Sequence, residues 1–177
     1  FIVYLLGKLD IINFKYFFIS SAFCPFFIAI DVIYQYFLGF NIVGIGTNEY
    51  GNTSFFGDEY IAGGYIQNFS LFTMLFIWIL LENSNNYFRT LIFITTVCIL
   101  GMGILFSGNR MPLALFLLGL FLVYFFSNKL KNIAIASFLV LLVVLGSLIL
   151  SNEASKKRYL SFYANITRDT TQLFKII

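Results

Sequence analysis

Residues 87–150 read YFRTLIFITTVCILGMGILF (Tyr87–Phe106), SGNR (Ser107–Arg110), MPLALFLLGLFLVYFF (Met111–Phe126), SNKLKN (Ser127–Asn132) and IAIASFLVLLVVLGSLIL (Ile133–Leu150). Apolar runs alternate with short polar breaks, and inside the runs the only charged side chain is Arg89, close to an end. A run of about 20 apolar residues matches one helical crossing of the hydrocarbon core of a bilayer. A helix is also the element that bonds every backbone amide within its own segment, as the lipid phase demands. Three successive membrane helices joined by tight turns follow from this stretch alone.

The same pattern extends toward the N-terminus. Phe14 to about Leu38 is a further apolar run, interrupted by Pro25, which would kink it, and by Asp31 and Gln35. These two polar residues stand four apart and share a helix face. Residues 39–60 form a polar loop, with Gly39, Gly44, Gly46, Gly51 and Gly57 and the pair Asp58-Glu59. Another apolar run follows from about Ile61 to Leu81 and ends at the polar break Glu82–Asn86. The sequence thus predicts an all-α, polytopic transmembrane bundle of about five spans, over about 14–38, 61–81, 87–106, 111–126 and 133–150. All belong to a single membrane domain, and residues 151–177 read as the start of a large polar loop. The chain opens at Phe1 and closes on Leu173-Phe174-Lys175-Ile176-Ile177, which reads as an internal piece of a longer protein.

Composition agrees. Of the 177 residues, 60% are hydrophobic and only 11% charged, and the mean hydropathy is +0.90. Soluble domains carry about 25% charged residues, so this chain could not cover a water-facing surface. Aromatics make up 20%, mostly Phe, which suits the lipid phase, while the Tyr residues are candidates for the interfacial belt. The net charge of +3 is too small, and its basic residues too scattered, to imply a nucleic-acid partner, and none is expected. There is no histidine, and so neither the usual metal ligand nor the usual general base. Cys24 and Cys98 both fall in apolar runs and read as unpaired thiols. No metal site and no cofactor are expected.

Basic residues of short loops mark the cytoplasmic side. Lys8, Lys15, Arg89, Lys129 and Lys131 fall on one side, and Arg110 alone in the short loops of the other. Residues 39–60, 107–110 and 151–177 are accordingly expected outside the cytoplasm.

Few residues could carry chemistry. Arg110 stands in the turn before an apolar helix. It reads either as an interfacial anchor that snorkels to the headgroups or as a phosphate ligand, because its planar fork of donors matches phosphate oxygens. The amides at the start of the following helix also attract anions, and Ser107, Gly108 and Asn109 make a compact approach. Asp31 and Gln35 require a partner or a cavity, since a carboxylate inside a span is costly; otherwise Asp31 lies near enough to the interface to be hydrated. In the loop 50–60, Asp58 and Glu59 read as a cap on the next helix, at its positive end; otherwise the loop's hydroxyl, amide and carboxylate groups hydrogen-bond a sugar. Lys156-Lys157-Arg158 reads as the solvated start of a loop, or as a patch that steers an anionic headgroup or pyrophosphate. Asn52-Thr53-Ser54 and Asn165-Ile166-Thr167 fit the glycosylation pattern, a weak signal.

The order of these motifs resembles that of the O-antigen ligase and O-antigen polymerase superfamily of bacterial envelope proteins. The resemblance rests on Asp31-x-x-Tyr34-Gln35, the Gly-rich loop, the stretch Phe55-Phe56-Gly57-Asp58-Glu59-Tyr60-Ile61-Ala62-Gly63-Gly64-Tyr65, and Ser107-Gly108-Asn109-Arg110 opening an apolar helix. It covers roughly Asp31 to Leu150. In that family a Thr/Ser-x-Ser/Asn-Arg turn opens a span and presents its arginine to the periplasm; the matching position is Arg110, with Asn109 where many members have Ser. The family's large periplasmic loop usually holds a second arginine and a histidine; Arg158 stands near the start of the corresponding loop, and this chain has no histidine.

The resemblance implies a multi-pass protein of the bacterial inner membrane that transfers a glycan from an undecaprenyl-pyrophosphate carrier. For a ligase the acceptor is the lipid A core, and for a polymerase another repeat unit. Arg110 would be catalytic, and Arg110, Asn109, Asp58, Glu59 and Arg158 would bind substrate. The implied partners are the lipid-linked glycan donor, the glycolipid acceptor and membrane lipids. Rival readings are another lipid-linked oligosaccharide transferase, a transporter or flippase, and a membrane subunit without activity of its own. A transporter is disfavoured because Asp31 has no basic partner inside a span.

Overall fold

Each apolar run forms one helix because nothing inside it competes for the backbone and water is absent to do so. The computed structural model of the chain describes residues 15–47, 51–126 and 131–151. They form five α-helices: α1 (Lys15–Leu38), α2 (Ala62–Leu80), α3 (Asn86–Phe106), α4 (Arg110–Phe126) and α5 (Lys131–Ser151). A single 3-10 turn, Ser54–Phe56, lies between α1 and α2. No strand occurs among the described residues; Phe40 and Gly46 make one isolated bridge. The chain is an all-α, polytopic membrane protein. Three helices are long and apolar enough to cross a membrane, α1 over Ile19–Leu38, α2 and α3, while α4 and α5 supply the shorter apolar stretches Arg110–Phe125 and Lys131–Ser147.

The chain divides into two units, Phe1–Leu141 and Leu142–Ile177. In the first, α1 packs on α2 and α3, α2 packs on α3, and α4 lies against both α2 and α3. Val32, Ile66, Phe93, Leu100 and Leu120 are fully buried between them. Large apolar side chains such as Phe23 and Leu80 instead point outward, at 65% and 67% exposure, as a lipid-facing surface requires. In the second unit, α5 continues to Ser151; Leu145 is buried there and Val143 is exposed. Lys8, Lys129, the cluster Lys156–Arg158 and Asn165-Ile166-Thr167 lie outside the described residues.

Two contacts fix α1 in place. Gly103 of α3 meets Ala29 of α1 so closely that a Cβ added at Gly103 would stand 2.7 Å from the Ala29 Cβ and 2.8 Å from its Cα. Small residues at a membrane helix crossing let backbones approach in this way. Lower down, α1 runs on through Pro25. Proline removes the donor that would have bonded Ser21. One residue on, the Ala22 carbonyl accepts the Thr73 hydroxyl of α2 at 3.0 Å.

Asn52, in the loop after α1, bonds the Phe106 carbonyl at the end of α3, and Asn109, just before α4, bonds the Tyr60 carbonyl just before α2, so α1 and α3 end where α2 and α4 begin. The described loop 39–47 and 51–61 and the turn 107–109 therefore share one end of the bundle. At the opposite end Asn85 caps α3, its side chain accepting from Tyr87 N. There the Arg89 guanidinium lies 4.0 Å over the ring of Trp78, and Trp78 meets Phe93 edge-on.

Candidate functional site

The loop end is built on Asp31 and Gln35. One turn apart on α1 and both fully buried, they reach into the loop that follows. Asp31 Oδ1 accepts from Ile42 N at 3.0 Å, and Oδ2 accepts from the Ser54 hydroxyl at 2.5 Å. Gln35 Nε2 donates to the carbonyls of Ile45 at 3.2 Å and Gly46 at 3.0 Å. Its Oε1 accepts from Ser54 N at 2.9 Å. The shared helix face expected from the sequence is present. The hydrated alternative for Asp31 is corrected: the carboxylate is sealed from solvent and held by loop donors, because its helix face turns toward the folded loop rather than the interface.

Ser54 is where these bonds converge. Its φ of 55° puts a non-glycine residue in the left-handed region, which costs of the order of 1 kcal/mol or more and persists only where surrounding contacts overdetermine it. They do so here. Its amide and hydroxyl bind Gln35 and Asp31, and its carbonyl accepts from Asn41 Nδ2 at 2.8 Å. Asn41, also fully buried, folds the preceding hairpin as well: its Oδ1 accepts from Val43 N at 3.0 Å and Ile45 N at 2.7 Å. This is the side-chain mimicry of a turn that favours asparagine.

The loop is also tied to the turn before α4. Asn52 Nδ2 donates to the Phe106 carbonyl at 2.8 Å, closing the end of α3. Asn109 Nδ2 donates to the Tyr60 carbonyl at 2.7 Å. Gly51, at φ 154°, approaches the Ser107 carbonyl so closely that an added Cβ would collide with it. An alanine there meets both an unfavourable backbone conformation and a rigid backbone oxygen. Gly51→Ala is therefore expected to cost about 1–3 kcal/mol, read as a lower midpoint of thermal unfolding in detergent; an unchanged midpoint would show that the loop and the turn are not in register.

The predicted site residues fall as follows. Arg110 is the first residue of α4 and is half-buried. Asn109 is half-buried beside it, with its amide committed to Tyr60. Asp58 and Glu59 are exposed on the loop just before that same Tyr60. The bond from Asn109 to Tyr60 thus draws two separate sequence motifs into one neighbourhood. The capping role considered for Asp58 and Glu59 is corrected. Helix α2 starts at Ala62, its N-cap is Ile61 with no side-chain cap bond, and its first turn has no acidic residue. Arg158 lies outside the described residues. Asn52, in the glycosylation pattern, is 5% exposed with its amide bonded to Phe106, so it offers no acceptor nitrogen at the surface.

Sequence reading missed Asn41, and it singled out Asn52 and Ser54 without seeing that they tie the loop to α3 and α1. Asn41 stands shortly before Gly44 and Gly46, a turn signal that could have been found; Ser54 has no such signal. It also missed what the 3-10 turn does with its aromatic pair. Phe55 stacks on Phe27 at 5.7 Å, and Phe27 on Phe23 at 6.5 Å, along exposed positions of α1. Phe56 meets Tyr65 at 5.7 Å, and Tyr65 meets Phe69 at 4.9 Å, along α2. Two aromatic ladders therefore descend from adjacent loop residues.

Comparison of the chain with protein-family models, curated proteins and solved structures found no match.

Proposed function

We propose that this chain is the membrane part of a glycan transferase of the O-antigen ligase kind, seated in the bacterial inner membrane with its loop end facing the periplasm. It would take a saccharide from an undecaprenyl-pyrophosphate carrier to a lipid A core acceptor. The observation that carries the reading is the bond from Asn109 to Tyr60. It puts Arg110 and the Asp58-Glu59 pair, which belong to two of the motifs behind the sequence resemblance, at one end of the bundle. A guanidinium suits a pyrophosphate, exposed carboxylates suit sugar hydroxyls, and the exposed rings of α1 suit a prenyl chain lying in the lipid.

In the proposed reaction an acceptor hydroxyl oxygen forms a bond to the anomeric carbon of the donor sugar. The bond from that carbon to the pyrophosphate oxygen breaks, and the electron pair leaves with the lipid pyrophosphate. The hydroxyl proton passes to a base that this chain does not supply as a histidine. Arg110 stabilises the charge that grows on the departing pyrophosphate, an interaction stronger in the transition state than before it. Asp31 is occupied by Ile42 and Ser54, which weighs against its use as a coupling carboxylate in a transporter.

Transfer measured in proteoliposomes with a labelled lipid-linked saccharide tests this. Arg110→Ala is expected to lower the rate by about 10²–10³-fold. Arg110→Lys should also be impaired, because an ammonium keeps the charge without the bidentate fork. Full activity in both variants would reduce Arg110 to an interfacial anchor. A ladder of products in place of a single addition would make the acceptor another repeat unit, and the protein a polymerase.

A further inference from the structure

At the end of the bundle opposite the loop, Arg89 is a cation with no anion beside it among the described residues. Its guanidinium is half-buried and stacked 4.0 Å over Trp78. Nη2 donates to Asn86 Oδ1 at 3.0 Å, while Nε is buried and has no acceptor among the described residues. Glu82 is exposed on the same inter-helix turn, yet no described carboxylate pairs with Arg89. An arginine that serves only as an anchor extends its head into water. Here the head is folded back on an indole and partly desolvated, which raises the demand for a counter-charge.

We infer that Arg89 binds the phosphate of an anionic phospholipid in the leaflet at this end of the bundle. The surroundings select a lipid over a free anion. Tyr87 and Phe88, at 86% and 54% exposure, and Leu80 stand on the same rim, so a headgroup at Arg89 has apolar surface for its acyl chains beside it. The first amides of α3 lie next to Arg89 and add partial positive charge. Basic residues beside a membrane attract anionic lipids by about 1 kcal/mol each. This inference does not depend on the transferase reading, since it concerns the other end of the helices.

Trp78 is the only tryptophan in the chain, and its position against Arg89 makes it a reporter of the occupant. The full chain is reconstituted in phosphatidylcholine vesicles holding a small fraction of either phosphatidylglycerol or phosphatidylcholine brominated near the top of its acyl chains. Bromine in contact with the indole quenches its fluorescence. Phosphatidylglycerol is expected to be enriched about fivefold at Trp78 over phosphatidylcholine, and Arg89→Gln is expected to make the two equal. Equal quenching by the two lipids in the wild type overturns the assignment, and needs no variant to fold. A preference that survives in an Arg89→Gln protein of native helicity overturns it as well. If excess inorganic phosphate at constant ionic strength erases the preference, the site is one for free phosphate and the lipid assignment fails.

Discussion

Replacing Gly103 by leucine is expected to prevent α1 and α3 from packing, so that little folded protein is recovered from the membrane. A Cβ at this position already falls 2.7 Å from the Ala29 Cβ, 2.8 Å from its Cα and 3.2 Å from its carbonyl oxygen. Two of those three atoms are backbone and cannot rotate away. Alanine alone should cost about 1–3 kcal/mol of overpacking, and leucine more, because its branched end has no space to enter. The effect spreads beyond the contact. The end of α3 carries the Phe106 carbonyl that holds Asn52, and Phe106 stacks on Tyr36 of α1 at 4.0 Å. Moving α3 off α1 thus loosens the loop as well. Gly101 provides the contrast. An added Cβ there would meet Leu141 Cδ1 at 2.5 Å, but that atom is the end of a side chain that can turn. Gly101→Ala should therefore cost less than Gly103→Ala. Ala29→Gly should restore part of the Gly103→Ala loss by removing one of the clashing atoms. Size-exclusion profiles and unfolding midpoints in detergent check the set. A Gly103→Leu protein with wild-type yield and midpoint would mean that α1 and α3 do not cross at this point.

The helices could be read from sequence and their contacts could not. An apolar run in lipid has only one way to satisfy its amides, which is why runs such as Tyr87–Phe106 appear as helices such as Asn86–Phe106. Contacts between helices follow a different rule. Gly103 sits in an apolar run beside Gly101, and nothing local distinguishes the glycine pressed on backbone from the one that meets a movable side chain. The loop end shows the same division. The four-residue spacing of Asp31 and Gln35 was enough to put them on one face. Their partners are mostly backbone groups of residues 42–54, and backbone groups leave no trace in a sequence. The capping role for Asp58 and Glu59 failed for a related reason. Acidic residues shortly before an apolar run suggest a cap, but α2 begins at Ala62, and its N-cap is Ile61, two residues past Glu59, with no side-chain cap bond.

Removing the Asp31 carboxylate is expected to release the loop from α1 while leaving the helices intact. In Asp31→Ala the Ser54 hydroxyl, fully buried, loses its acceptor, at a cost of about 1–3 kcal/mol. The Ile42 amide loses one too, but it lies nearer the surface, where water can replace the carboxylate. Ser54 then has less to hold it at φ 55°, so part of the backbone strain is released by letting the turn relax. The three variants around this bond should form a series. Asp31→Ala should be the most harmful. Ser54→Ala follows, because it leaves one carboxylate oxygen unsatisfied but keeps the bond to Ile42. Asp31→Asn should be the mildest, since its carbonyl oxygen still accepts from Ile42 and its amide can donate to the Ser54 oxygen. Protease sensitivity of the loop in detergent reads this order, with circular dichroism to show that helix content is kept. Because Asn109 ties Arg110 to the same loop through Tyr60, under the proposed function Asp31→Ala also lowers glycan transfer, although Asp31 itself is sealed from any substrate. Loop cleavage at the wild-type rate in Asp31→Ala would show that Gln35 and Asn41 hold the loop without it, and that α1 positions the loop through Gln35 alone.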